Sequence, residues 1–552
     1  MIASYVKALL QENGIHWNNN GTVGNRNDMG RGATVTYSFI DSRPAGLSRD
    51  HYKNFTAFST AQQAQIRQAL AHYEDVANIN FVEQRSGGTL SLGYAETYFD
   101  FDGNGTFERA GGLATRPNAS GARIVIDRST SDFSSGDWGY QVWLHELGHA
   151  VGGFNDVTMG RNPDSQYAAS SERRNRGMDG QLLSSWQDSH KYTLMSYIDH
   201  PDMPGVNPRS LGLYDIAAIQ ALYGANWSHN SGNNTYAWGA NETFIETIWD
   251  GGGNDTINAS NQSRRAVIDL RAGHFSSIGS LNNSGDATDN LAIAYGATIE
   301  NATGGSGSDI ITGNSAANVL IGNAGNDLIS GGRGKDDMDG GSGVDTVDYR
   351  HWNGGGTYNL YSEVASFAGY YNENIRNFEN IYTGNGADRI IGTNAVNYIS
   401  TSGGNDTING YGGHDTILAG AGNDTVVGGS GNDIINGSSY ATQGTGERDI
   451  LTSGGMNDAD TFVLGERGRV FYNDWGSLDY AVIKDFDVHD FFGDVADKIQ
   501  LVGSATSYSM SNVNISGIAG TGLHFAGDLI GIVQNVTSTA LNLSDSNQFT
   551  YV

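Results

Sequence analysis

GGSGSDIITGNSAANVLIGNAGNDLISGGRGKDDMDGGSGVDTVD, residues 304–348, is the stretch whose reading decides the fold of this chain. It parses into five copies of the nine-residue pattern GGxGxDxUx, with U a large apolar residue, and six more copies run from Thr383 to Asn436. An isolated earlier copy spans residues 250–258. In the eleven contiguous copies U is always aliphatic or Met: Ile311, Leu320, Ile329, Met338, Val347, Ile390, Ile399, Ile408, Ile417, Val426 and Ile435. The sixth position is Asp in nine of them: Asp309, Asp327, Asp336, Asp345, Asp388, Asp406, Asp415, Asp424 and Asp433. The other two carry Asn318 and Asn397 and also lose the fourth-position glycine, to Ala316 and Ala395. Each is the second copy of its block, and Ile299-Glu300-Asn301 and Phe378-Glu379-Asn380 precede the two blocks in one register, as a duplication would leave them. A glycine-rich disordered linker has no reason to keep U apolar throughout.

This register resembles the RTX calcium-binding repeat. The resemblance implies a parallel β-roll in which each xUx is a short strand with U inward. The glycine half turns tightly, so that carbonyls and the aspartate face a hard cation. In such rolls the ions lie between stacked turns, which makes the nine aspartates the expected calcium ligands. The Asn318 and Asn397 turns are expected to bind calcium weakly or not at all.

A second stretch carries different chemistry: WLHELGHAVGGFND, residues 143–156. His145 and His149, four apart, share one face of a helix and can grip one ion. Leu144, Leu147 and Val151 give that helix an apolar face to bury. Glu146 is placed to take a proton from water at the metal rather than to bind the metal itself. Gly152 and Gly153 end the helix, and a tight turn there brings residue 155 or 156 back toward the ion. HExxH alone is weak evidence, and two histidines on a helix can be plain surface residues.

Downstream, Tyr192-Thr-Leu-Met-Ser-Tyr197 supplies a methionine-turn candidate. HELGHAVG paired with LMSY resembles the metzincin zinc peptidases, particularly the serralysins of peptidase family M10. The resemblance implies that Met195 lies beneath the zinc and that Tyr197 approaches it. YSFI, FSTAQQAQIRQAL, ANINF and DIAAIQALYGAN resemble the same family, so the likeness spans most of residues 30–226. One departure stands out, because the family pattern HExxHxxGxxH has Asn155 where the third His belongs. Neutral amide oxygen is a poorer zinc ligand than carboxylate, which favours Asp156 slightly over Asn155 as third ligand. His190 and His200 are further alternatives, and Asn155→His is expected to tighten zinc by restoring the pattern.

At 552 residues the chain exceeds a single core. Its 60 acidic against 31 basic residues give a net charge of −29, which argues against nucleic acid or an anionic membrane as partner. No apolar run approaches a membrane span, and zero cysteines exclude disulfides. The N-terminal MIASYVKALLQENG lacks the features of a secretory signal, so the expectation is either a cytoplasmic protein or export read from elsewhere in the chain. Before the zinc stretch, residues 33–40, 90–94 and 123–126 read as strands, and Ser59-Thr60 opens a helix with an Ile66, Leu70, Tyr73 and Ala77 face. Asp100-Phe-Asp-Gly-Asn-Gly105 either begins a partial calcium loop or forms an acidic surface turn, since position twelve is Gly111. Leu213–Gly224 reads as a helix. Beyond Gly437, residues 460–464, 479–486 and 497–503 read as strands between acidic turns.

These readings give a multidomain α+β chain. A metzincin-type α/β zinc protease domain over 1–226 is followed by an RTX parallel β-roll over 227–455 and a β-rich, export-associated segment over 456–552. The expected function is a secreted, extracellular zinc endopeptidase acting on proteins or peptides, with zinc and calcium as cofactors. A monomer exported by a type I machinery is expected, with an uncleaved C-terminal signal. Catalytic roles fall to Glu146 and, as oxyanion donor, Tyr197. The competing hypothesis is a catalytically impaired protease-like protein serving calcium-dependent surface binding or adhesion, supported by Asn155 and opposed by the retained His145, Glu146, His149, Met195 and Tyr197. A zinc hydrolase of non-peptide substrates is a third, weaker reading.

Overall fold

The computed structural model describes residues 2–18, 22–44, 47–99, 106–157, 178–282, 285–439, 441, 443–455, 458–473, 478–488 and 496–552. The Asp100–Gly105 stretch lies outside them. The chain divides into two compact units, Met1–Ile299 and Glu300–Val552. Among the described residues no helix is long and apolar enough to cross a membrane.

In the first unit the alternating strand Ala33–Ile40 pairs in parallel with Ile79–Glu83 on one side and Leu90–Phe99 on the other. Ala122–Asp127 adds a further parallel strand, and Gly112–Ala114 closes that edge antiparallel to it. The helices are α1 (Ser4–Leu9), α2 (Thr60–Val76), α3 (Trp138–Gly152) and α4 (Leu213–Tyr223). Ser59 caps α2 through a reciprocal box with Gln62, and Ile66, Leu70 and Tyr73 face inward as the 3.6-residue period requires. Helix ties run through tyrosine hydroxyls: Tyr73 donates to Leu144 O at 2.7 Å and Tyr223 to Val151 O at 2.7 Å. After Asn226 the unit continues in short strands that sequence patterning did not delimit. Thr235–Ala237 lies parallel to Thr256–Asn258, and Glu246–Ile248 parallel to Leu291–Ile293.

The second unit is the repeat region and its continuation. Consecutive copies fall on alternate sheets, so each strand pairs in parallel with the one eighteen residues on: Ile311 opposite Ile329, Leu320 opposite Met338, Ile390 opposite Ile408, Ile417 opposite Ile435. Every U side chain is at most 1% exposed. At about 1.5–3 kcal/mol for each aliphatic side chain buried, this column offsets the entropy of ordering so much glycine.

Two features depart from the repeat reading. Between the blocks, Gly356–Asn359, Val364–Phe367 and Asn372–Arg376 insert as antiparallel strands into one sheet, while Val347 pairs directly with Ile381 in the other. Beyond Gly437 the sequence pattern dissolves but the stack does not. Ile435 is followed in register by Phe462, Ile499 and Phe549, and Val426 by Leu451 and Ile483. The meander Tyr508–Ile515, Ile518–Phe525 and Asp528–Gln534, unread in the sequence, packs Val513, Ile515 and Ile518 onto Tyr480, Val482, Leu529 and Ile532.

Candidate metal centre

Helix α3 is buried along Trp143, Leu144, Leu147, Ala150 and Val151, which fixes the rotation that presents His145 and His149. Two glycines allow its close packing. A Cβ on Gly148 would meet Met195 Sδ at 2.9 Å, so Met195 lies directly against the turn that carries the histidines. Gly153 ends the helix in the left-handed region (φ 58°), its N–H returning to Gly148 and His149 carbonyls.

Each imidazole is oriented by its far nitrogen. Nδ1 of His145 donates to Leu194 O at 2.7 Å and Nδ1 of His149 to Phe154 O at 2.8 Å, which turns each Nε2 toward Asp156 and makes it the atom that an ion would take in place of a proton. Asp156 Oδ1 stands 3.2 Å from His145 Nε2 and 3.3 Å from His149 Nε2. The three ligand atoms form a group within 4.8 Å of one another. Ligands at about 2.0–2.1 Å around a tetrahedral zinc are themselves about 3.3–3.4 Å apart, so the donor set and its spacing fit zinc. Asn155 faces elsewhere: its Oδ1 accepts from Arg116 Nη2 at 3.0 Å and its Nδ2 donates to Leu10 O at 3.3 Å. His190 Nε2 contacts Gln141 at 2.8 Å and Ser196 O at 2.9 Å, and His200 Nε2 reaches Asp289 O at 3.1 Å. Neither joins the group.

Without a cation the cluster shares protons. Burial opposes ionisation of Asp156, yet the His149 charge and hydrogen bonds from both imidazoles hold its carboxyl well below the usual range. Burial would lower His145, but Asp156 pushes it up to about 9. Glu146 is raised by burial, against the pull of both histidines. Its carboxylate packs over Gly112, where a Cβ would lie 3.0 Å from Oε1, and takes the Ala114 N–H of the edge strand. The Tyr197 hydroxyl donates to Asp156 Oδ1 at 3.2 Å, with its ring 5.4 Å from that of His145.

Sequence reasoning missed Asp215, buried in α4. It receives Leu194 N–H at 2.7 Å, Gly212 N–H at 2.9 Å and the Thr193 hydroxyl at 2.6 Å, and so shapes the turn whose carbonyl holds His145. Burial pushes its carboxyl up to about 6 against those bonds. A charged residue inside LYDIAAIQALY was the available signal.

The repeat aspartates form ladders. Asp327 Oδ1 accepts Asp309 N–H, Asp345 accepts Asp327, Asp406 accepts Asp388, and Asp433 accepts Asp415, all at 2.7–2.8 Å. The Oδ2 atoms of Asp327, Asp336, Asp345, Asp388, Asp406, Asp415, Asp424 and Asp433 are buried without a hydrogen-bond partner, and Asp309 Oδ2 takes Gly305 N–H at 2.6 Å. Burial raises the carboxyls that lack a partner, Asp327 and Asp415 to about 7 and Asp424 to about 9. The ladders run past the repeats, Asp449 Oδ1 accepting Asp424 N–H and Asp460 Oδ1 accepting Asp433 N–H at 2.8 Å. The two Asn turns differ. Asn318 Nδ2 donates to Glu300 O at 2.7 Å and Asn397 Nδ2 to Glu379 O at 2.7 Å, so each amide closes its turn on a carbonyl eighteen residues earlier.

Residues 214–373 match the family described as "Peptidase M10 serralysin C terminal", and residues 382–417 and 409–439 match the RTX calcium-binding nonapeptide repeat. The chain carries a serralysin-type C-terminal domain and RTX repeats. The chain is also similar to curated relatives. It is 33% identical over 305 residues to a serralysin of Photorhabdus luminescens (51% of this chain, 58% of the relative). It is 32% identical over 318 residues to a serralysin of Proteus mirabilis (51% and 60%). The metallopeptidase AprA of Pseudomonas marginalis is 30% identical over 296 residues (50% and 59%). The chain thus spans under two thirds of the length of each of these three relatives.

Proposed function

We propose that this chain is a secreted zinc endopeptidase with a calcium-ordered C-terminal roll. The observation that carries the reading is the convergence of His145 Nε2, His149 Nε2 and Asp156 Oδ1 beside the buried Glu146. In this proposal residues 1–226 form a metzincin-type α/β catalytic domain, 227–455 the calcium-binding roll and 456–552 the segment read by a type I exporter. The serralysins among its relatives support the peptidase class.

His145, His149 and Asp156 would hold zinc, which supplies a Lewis acid for the peptide carbonyl and acidifies the attacking water. Glu146 takes the water's proton and returns it to the leaving amine nitrogen. Its carboxyl is raised by burial, the direction that favours its holding a proton between the two halves of that transfer. The Tyr197 hydroxyl, now on Asp156, turns to donate to the oxyanion that develops on the scissile carbonyl. Gly112–Ala114 is the last strand of its sheet, so an extended peptide can add along it next to Glu146. In the roll, the buried Oδ2 atoms of the ladder aspartates would hold calcium, which would neutralise their charge. The impaired-protease alternative rested on Asn155, and a third ligand drawn from Asp156 removes that support.

Glu146→Ala tests the catalytic assignment. It should leave zinc content unchanged while abolishing casein cleavage, because a proton carrier is removed and no ligand is. Cleavage at the wild-type rate would show the assignment to be wrong.

A further inference from the structure

The residue beside the proposed third ligand is anchored from two directions. Asn155, 3% exposed, donates its backbone N–H to Leu9 O at 2.8 Å and Nδ2 to Leu10 O at 3.3 Å. Its Oδ1 accepts from Arg116 Nη2 at 3.0 Å. Gln11 Nε2 donates to the same oxygen at 3.0 Å. Arg116 and Gln11 thus clamp the turn after α3 between the segment that follows the edge strand and the chain just after α1, both donating to one amide oxygen. Two residues on, Val157 N–H donates to Met195 O at 3.1 Å. The turn is pinned at 155 and at 157, and Asp156, between them, faces the histidines.

We infer that Asn155 and Arg116 are positioning residues of the metal centre: with the end of α1 they hold the turn after α3 so that Asp156 presents Oδ1 to His145 and His149. The inference rests on the proposed zinc site. It assigns a task to the residue that stands where an imidazole was expected. The third ligand comes from position 156, and position 155 anchors the turn that delivers it. Arg116 suits the task for a second reason. It follows the edge strand that faces Glu146, so one side chain links the ligand turn to the wall beside the proposed proton carrier.

The test uses the full chain in calcium, stripped of zinc, with zinc affinity read by chelator competition and metal-free stability by thermal melting. Asn155→Ala and Arg116→Gln should each weaken zinc roughly 10–100-fold, the range for residues that orient ligands. Arg116→Lys, which keeps the charge and one arm of the clamp, should recover part of the loss. Cobalt-loaded Asn155→Ala should show an altered visible spectrum, which a merely structural role would leave unchanged once the protein is folded. Asp156→Ala is the reference and should weaken zinc more than either. If Asp156→Ala loses zinc while Asn155→Ala and Arg116→Gln bind like wild type, the positioning inference is overturned and the zinc site stands. If Asp156→Ala itself binds like wild type, the site reading falls and the inference with it.

Discussion

Asn155 and Asp156 are adjacent, and their side chains go opposite ways: one to α1 and Arg116, the other to the two histidines. The His145–His149 pair was legible because helical spacing alone puts both rings on one face. The third member was legible only as a slight preference for Asp156 over Asn155, because its direction depends on partners at Leu10 and Arg116, far off in the chain. The bonds of Asn155 argue against one expectation from the sequence. An imidazole at position 155 would forfeit the bonds to Leu10 and Arg116, so Asn155→His should weaken zinc rather than tighten it. Tyr197→Phe should lower kcat roughly ten- to a hundred-fold with zinc content unchanged, a discounted cost for an oxyanion donor, checked by steady-state kinetics and metal analysis. Loss of zinc along with activity would instead make Tyr197 a structural support of Asp156. Proton balance gives a further check. His145, at about 9 without metal, carries a proton at pH 7.5 that an incoming ion displaces. Zinc uptake should release close to one proton, and zinc affinity should rise roughly tenfold per pH unit between about pH 7 and 9. Calorimetry in buffers of different ionisation enthalpy measures the release, and zero protons would contradict the account.

At the scale of the element, the roll was the most legible part of the chain. A fixed period places U inward and Asp in the turn, and both hold wherever the period holds. The antiparallel insertion between the blocks and the rungs at Asp449 and Asp460 were illegible because they keep the stack while abandoning the spacing. The ladder carboxyls also set a pH dependence. An unfolded Asp titrates near 3.9, whereas metal-free folded Asp327 and Asp415 titrate at about 7 and Asp424 at about 9. The folded roll therefore binds more protons than the unfolded chain between roughly pH 4 and 9, and its calcium-free stability falls as pH rises through that window. In EGTA, circular dichroism should show more strand at pH 4.5 than at pH 7.5, and calcium at pH 7.5 should restore it. Identical EGTA spectra at the two pH values would count against this reading. The Asn rungs need no cation, since an amide nitrogen already meets the carbonyls of Glu300 and Glu379. Asn318→Asp should therefore raise the calcium requirement for folding, because a carboxylate would face those carbonyl oxygens with nothing between.

At the scale of the molecule, the composition break after Asn226 was plain, but the short strands that follow it lie outside any period and could not be read. On the proposed function, a net charge of −29 and calcium-binding turns would suit a chain that stays open at low calcium before export and folds at the millimolar calcium of extracellular modules. The central claim is that one zinc ion at His145, His149 and Asp156 makes this chain a peptidase. It is tested most directly by stripping the purified full chain of zinc in the presence of calcium and titrating zinc back while following casein cleavage. The account predicts no cleavage without zinc and activity rising in proportion to zinc until one ion is bound per chain. A chain that takes up its one ion at that site and still cleaves nothing would contradict it.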